Sequence, residues 1–286
     1  MIDRSILSAH RIDDLVDLVA RATVDEDLSG DELLTACHEQ ADTVLIADDG
    51  DDAVSLGLGR AASGDLVAVV RLLVVAPSDA RAERERELLE HAVAWAGERG
   101  ASRLEIGGAL PFALWPGLGA GSTMVATAQQ AGFSVGDERT MWAVPNLFRT
   151  DQPAGIVIRR AVRDDDVLAV TLAAASRWPR LSDEIARALD HGTCHVAMVD
   201  DDGSEIVGVA THSITRATWA GPIVVEPAWQ RRGVGSALLG QLCRDLMIAE
   251  FPRLVVSDAD SGAEAFLRAA GAAPIGAWHR VWLELA

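Results

Sequence analysis

The chain has 286 residues, 49% of them hydrophobic, which is enough for two domain-sized cores, and its formal net charge of −18 excludes the basic face that a nucleic acid or an anionic membrane requires. All 25 basic residues are arginine, and the absence of lysine excludes Schiff-base and pyridoxal chemistry and any phosphate-loop lysine. Three cysteines (Cys37, Cys194, Cys243) without CxxC spacing and seven histidines without metal-ligand spacing predict reduced thiols, a cytoplasmic setting and no metal. His191 and His195 straddle Gly192 and so do not share a helix face.

The N-terminus, with Asp3, Arg4, Asp13 and Asp14, has no apolar core of a signal peptide, and the longest apolar run, Leu66 to Val75, has strand length and contains Arg71. Residues 10–22 place Ile12, Leu15, Val16 and Val19 at helical spacing, and Ser29-Gly30-Asp31 predicts a second helix to about Glu39. Strands follow at Thr43 to Ala47, Ala53 to Gly59 and Leu66 to Val75, the last stopped by Pro77. A long helix from Asp79 to Glu98 carries Leu88, Leu89, Ala92 and Trp95 on one stripe. Arg103 to Ile106 is a strand. Pro111 to Gly121 is a loop whose Phe112 and Trp115 are placed to reach a substrate site, and a short helix to Ala131 and a strand around Met141 close this half.

Pro145 to Gly155 has linker composition, after which the element order starts again. Strand Ile156 to Arg160, helices Asp164 to Ala175 and Ser182 to Leu189, and strands His195 to Val199, Ile206 to Ser213 and Ala220 to Val225 come in turn. Helix Ser236 to Phe251, strand Leu254 to Ser257, helix Ser261 to Ala270 and a strand near His279 to Leu285 complete the chain. The repeat predicts two domains of one fold, at 1–148 and 149–286.

The chemistry concentrates at Ile223 to Leu239. An apolar strand ends at Pro227, and Gln230-Arg231-Arg232-Gly233-Val234-Gly235 then forms a turn that opens a helix near Ser236. Unpaired N–H groups, the positive end of the helix dipole and glycine's lack of a side chain make such a turn an anion site. In the first half the equivalent strand end, Val75-Ala76-Pro77, leads to a helix start without glycine, where Glu83 and Glu85 oppose an anion.

Val225-Glu226-Pro227 with Gln230 to Gly235 resembles the acyl-CoA-binding motif of the GCN5-related N-acetyltransferase (GNAT) superfamily. Ile158 to Ala161 with Asp164 is similar to the family's opening strand and helix start. Ala263, Phe266 and Gly271 match its downstream pattern, while Asp260, Leu267 and Ala272 depart from it. The resemblance implies an α/β fold of two tandem GNAT-like domains, each a mixed, mostly antiparallel sheet flanked by helices, the N-terminal copy degenerate, an architecture that resembles mycothiol synthase. It implies acetyl-CoA as co-substrate, held by Val224, Val225, Gln230, Arg231, Arg232, Gly233, Val234, Gly235 and Ser236. It also implies a small-molecule amine as acceptor, no nucleic-acid or membrane partner, and a monomer or homodimer. In much of the family a tyrosine at the position of Leu267 protonates the departing thiolate; this chain has no tyrosine. The catalytic candidates are Glu226 as base and, as acid, His279 first or Ser257, with Asp258 beside Ser257 and water as the other proton sources; the alternative is a module that binds acyl-CoA without catalysis.

Overall fold

Apolar, β-branched runs bounded by glycine, aspartate and proline form the strands of a computed structural model that describes residues 4–8, 11–22, 28–33, 43–47, 49–61, 63–108, 114–199, 205–259 and 261–285. The first half runs β1 (Arg4–Ile6), α1 (Ile12–Ala22), β2 (Thr43–Ala47), β3 (Asp52–Arg60), β4 (Leu66–Val75), α2 (Arg81–Glu98), β5 (Arg103–Ile106), β6 (Leu118–Gly119), α3 (Thr123–Gln130) and β7 (Ser134–Pro145). The second runs β8 (Ile156–Arg160), α4 (Asp164–Arg177), α5 (Ser182–Asp190), β9 (Cys194–Val199), β10 (Ile206–His212), β11 (Ala220–Val225), α6 (Val234–Ile248), β12 (Arg253–Val256), α7 (Ser261–Ala269) and β13 (Ala273–Glu284). The element order repeats as expected. Of the helix expected after Ser29, residues 30–33 are helical and the rest lies outside the described residues, as do Cys37, Pro111, Phe112 and Asp260.

The expected boundary at 148/149 differs from what the fold shows. One compact unit is Met1–Arg139 with Ala277–Ala286, and the other is Thr140–Gly276. The cause is the exchange of closing strands. The end of β13 pairs antiparallel with β5 in the first unit (Val281↔Ile106, Glu284↔Arg103), and the end of β7 pairs with β12 in the second (Trp142↔Val256, Pro145↔Arg253). A period-2 apolar pattern marks a strand without naming its partner.

In the first unit, β1-β2-β3-β4 is an antiparallel meander, and β5 adds parallel to β4. The α2 stripe of Leu88, Leu89, Ala92 and Trp95 is buried against Val54, Leu56, Val70, Leu104 and Val281, and α1 buries Leu15, Leu18 and Val19 against Ile46, Leu72 and Val74 on the other face. Each buried leucine, isoleucine or valine among them contributes about 1.5–3 kcal/mol. Leu114 is fully buried and Trp115 packs on the same α1-side core, so this part of the expected substrate-reaching loop is core of the first unit.

In the second unit, β8-β9-β10-β11 is fully antiparallel. Val234, Leu238, Leu242 and Leu246 of α6 cover one face, on Val207 and Ala210; α4 and α5 cover the other through Val170, Ala174, Ile185 and Ala188, on Val196 and Val209. Helix α6 ends at Ile248, short of the expected Phe251, because Glu250 turns left-handed (φ 64°) and Phe251 N–H caps the Leu246 carbonyl at 2.9 Å.

Candidate functional site

The turn after β11 is built from residues that reverse handedness. Pro227–Trp229 is one 3-10 turn, and Gln230 is extended, its Nε2 donating to the Val225 carbonyl at 3.0 Å. Arg231 then takes φ 61° and Gly233 φ 85°. Gly233 is the N-cap of α6, with no side chain capping the helix and no acid in its first turn. Ala237 N–H to Gly233 O, at 2.9 Å, opens the helical ladder, leaving the N–H groups of Val234, Gly235 and Ser236 ahead of it. Left-handed residues followed by a bare helix start gather N–H groups into an anion-binding concavity. Arg231 and Arg232 are exposed there, and the Arg232 guanidinium lies 5.0 Å from the Trp229 ring centre. A Cβ on Gly235 would sit 3.7 Å from Val225 Cγ2, so a small residue lets the helix start close on the strand.

Beside this turn the sheet opens. Thr218 and Trp219 hold β12 at one point, the parallel bridge Trp219↔Val255 with Val255 N–H on Thr218 O at 2.8 Å. Then β11 bulges: Ala210 faces Ile223 but His212 faces Ala220, so β11 carries one residue more than β10 across Gly221-Pro222. A bulge bends its strand. Gly221 is required at that bend because a Cβ would lie 2.3 Å from Thr211 Oγ1. Glu226 N–H donates to Val207 O at 2.9 Å, so by alternation Val225 and Ile223 turn their N–H groups away from β10, toward the opened edge. Val224 and Val225 therefore stand on the edge strand, and Gln230 to Ser236 on the turn beyond it, in one contiguous site within the second unit.

The three expected catalytic side chains stand at separate elements. Glu226 ends the strand and receives Arg177 Nη1 at 3.3 Å, the same nitrogen that donates to Ile206 O at 2.7 Å. Ser257 directly follows β12, half-buried. His279 belongs to the first unit: it pairs with Leu118, and its Nδ1 lies 2.9 Å from Gly136 O. Leu267, in the place of the family's tyrosine, is 2% exposed and part of the core beneath α6.

Two features of the second unit escape sequence reasoning. His195 Nε2 and His212 Nε2 meet Asp245 Oδ2 at 2.7 and 3.1 Å, and Arg160 Nη2 holds the same oxygen. Ser213 Oγ donates to Ala217 O and lies 2.7 Å from His212 Nδ1, while His195 Nδ1 is buried without a partner. Burial raises the Asp245 carboxyl, but the hydrogen bonds from His195 and His212 and the charge of Arg160 outweigh it and hold the group far below the usual carboxylate range. These are two histidines and an acid of metal-ligand type, with the positive charge opposite Asp245 supplied by the chain's own Arg160. The second feature is Glu184 of α5, half-buried and without a hydrogen bond or ion pair to any described residue; burial, with Asp183 beside it, pushes its carboxyl up to about 7. The Cys194 and Cys243 thiols are buried and pushed up to about 12 and about 11, so both are inert packing groups.

The first unit lacks this geometry. At the start of α2 the N-cap Ala80 has φ −86°, no described residue from Ala76 to Glu83 has positive φ, and Arg81 N–H already bonds Ser78 O at 3.2 Å. Of the two acids expected to oppose an anion, Glu83 is exposed in the first turn, whereas Glu85 is 1% exposed and faces inward, bonded by Arg81 Nε at 2.8 Å and Thr127 Oγ1 at 3.3 Å. Here β4 and β5 pair from Val67↔Arg103 to Val70↔Ile106, and β4 runs on beyond β5 to Val75.

Two tandem units of one element order, the second with an opened strand edge beside a glycine turn, define a tandem fold of the N-acetyltransferase class. Residues 160–272 match the family model described as "Acetyltransferase (GNAT) family", and this segment is a GNAT-family domain. The tandem GNAT protein from the clavulanic acid biosynthesis pathway is 18% identical, with TM-score 0.75, covering 99% of this chain and 98% of its own. The GCN5-related N-acetyltransferase from Sphaerobacter thermophilus is also 18% identical, with TM-score 0.71 and coverage of 99% and 95%. A fungal multi-domain beta-N-acetylglucosaminidase, in a GCN5-related glucosamine N-acetyltransferase region, aligns with 99% of this chain at 12% identity and TM-score 0.80, and the match spans 38% of that chain. At these identities the likeness is one of fold. No curated protein matches the chain in sequence.

Proposed function

We propose that this protein is an N-acyltransferase that moves an acetyl group from acetyl-CoA to the amine of a small molecule. The observation that carries the reading is the joint geometry of Arg231, Gly233 and the uncapped start of α6 beside the open edge of β11. The pyrophosphate sits on the N–H groups of Val234 to Ser236 with Arg231 and Arg232 around it, and the pantetheine arm runs along β11. There a strand N–H of Val225 or Ile223 polarises the thioester carbonyl and stabilises the oxyanion as the amine attacks. The C–N bond forms, the C–S bond breaks, the nitrogen gives its extra proton to solvent, and the thiolate takes a proton from solvent, since Leu267 supplies none. Glu226 fixes this edge through Arg177, and Ser257 stands at the end of β12.

One observation favours a second reading. The buried leucine at position 267 removes the family's proton donor, as expected of a module that binds acyl-CoA without turning it over. Calorimetry with acetyl-CoA, followed by coenzyme release over a panel of small amines, separates the two. Binding with release is the expected result. Binding without release from any amine favours the module, and absence of binding removes both.

A further inference from the structure

The second unit holds several carboxylates buried or half-buried, and most of them are answered. Asp166 is held by Arg159 at 2.7 Å and Arg163 at 3.1 Å, Asp245 by Arg160 and two histidines, and Glu226 by Arg177. Glu184 of α5 and Glu264 of α7, both half-buried, are the exceptions among the described residues, and of the two Glu184 stands on a helix that packs on β11. A buried carboxyl without a partner costs folding free energy, and such groups concentrate where chemistry needs them.

Its place is fixed by its neighbours. Arg177, in the last turn of α4, reaches Glu226 just past the end of β11. Ten residues on, Arg187 Nε donates to Ile214 O at 3.3 Å, and His191 Nδ1 lies 3.4 Å from Ser213 O, both in the segment that leads into β11. Helix α5 therefore runs alongside β11 from its end toward its beginning, and Glu184, one turn before Arg187, lies between the two anchors. Ile185, the next residue, is fully buried in the cluster against which Val224 packs, so this helix face meets the edge strand. On its own helix the nearest charges are Asp183 and Arg187. On the elements packed against it they are Asp166 and Arg177 of α4, Arg216 before β11 and Glu226 after it, and none of these is within ion-pair distance.

We propose that Glu184 is the base that takes a proton from the acceptor's ammonium group, a role that rests on the transferase reading. The carboxylate oxygen receives one ammonium proton, the freed amine attacks the thioester carbonyl held at the β11 edge, the nitrogen passes its second proton to solvent as the thiolate departs and takes one up, and Glu184 then returns its own proton to solvent. The raised carboxyl supports this, because a base with its pKa near the working pH is both available and strong enough. Glu226 is committed to Arg177.

The test joins a titration and a rate. Carboxyl-labelled protein is titrated by NMR, with the Glu184 signal assigned by its loss in Glu184→Gln. A midpoint near 7 is expected, and a midpoint in the ordinary glutamate range overturns the proposal. Acetyl-CoA consumption with glucosamine, spermidine and phenethylamine as probes is then followed against pH. Glu184→Gln is expected to lower kcat/KM for the amine by about a hundredfold or more and to abolish the limb near neutrality, with acetyl-CoA affinity unchanged. A rate within a few-fold of wild type overturns the proposal while leaving the transferase reading intact. If wild type binds no acetyl-CoA, both fall. If wild type binds acetyl-CoA but turns over none of the three probes, the base role falls with the transferase reading, whatever the midpoint.

Discussion

Helices α2 and α6 follow corresponding strands in the two units, yet they place their buried acids at opposite ends. In α2 the acid is Glu85, near the N-terminus, where it complements the positive end of the helix dipole and bonds Arg81 and Thr127. In α6 it is Asp245, near the C-terminus, where the dipole opposes it and Arg160, His195 and His212 must hold it. The first arrangement answers the helix from within. The second anchors the far end to β8, β9 and β10 and leaves the N-terminal N–H groups for something outside the chain. The backbone agrees, with Arg231 and Gly233 left-handed before α6 and no such residue before α2. A left-handed, acid-free start and an anchored end thus belong to the same helix in the second unit, whereas α2 has neither.

Removing the anchor tests this most severely. Asp245→Asn leaves Arg160 and both histidines without their shared carboxylate, and about 3 kcal/mol of stability is expected to go, read by urea unfolding of the full chain near neutral pH. The folded group sits below its unfolded value, so its contribution is present above the ordinary aspartate range and is lost as pH falls through the folded value. The gap between variant and wild type should therefore narrow in acid. A gap that widens there would show that Asp245 is not the acid-sensitive anchor.

At the other end, Gly233→Glu puts a side chain at φ 85° and a negative charge where the phosphates approach. Acetyl-CoA affinity should fall about a hundredfold or more, as expected for an unpaired like charge at a helix-terminal anion site. Gly233→Ala separates the causes. It carries the strain of a left-handed alanine, about 1 kcal/mol, without the charge, and should lose far less affinity. Unchanged calorimetry in Gly233→Glu would take the turn out of the site.

Much of this was legible in the chain. The strand ending at Pro227 and the glycines at 233 and 235 announce the turn because each answers a local backbone demand, and the α2 stripe appears where periodicity puts it. What the sequence did not show is non-local. The exchange of β7 and β13 depends on which strand each meets. His195, His212 and Asp245 come from three elements and share no spacing. Glu184 is one acid among the chain's 43 acidic residues until α5 is packed against the sheet. Glu85 was misread for the same reason, since only the packing of α3 on α2 shows that it faces Thr127.

The smallest expected effect sharpens the comparison most. If charge alone separates the two helix starts, removing Glu83 should bring the first unit toward binding, because Glu83 is the one acid in the first turn of α2. If backbone separates them, nothing should be gained. The geometry favours backbone: Ala80 is at φ −86° and Arg81 N–H is already bonded to Ser78 O, so no left-handed turn gathers N–H groups at that helix start. Glu83→Gln is therefore expected to cost about 0.5 kcal/mol of stability, the worth of one exposed acid at a helix N-terminus, and to leave acetyl-CoA stoichiometry in calorimetry unchanged. A second equivalent of coenzyme bound by Glu83→Gln, and lost again when Gly233 is left intact but Arg81 is changed to glutamate, would show that charge and not the left-handed turn made the difference.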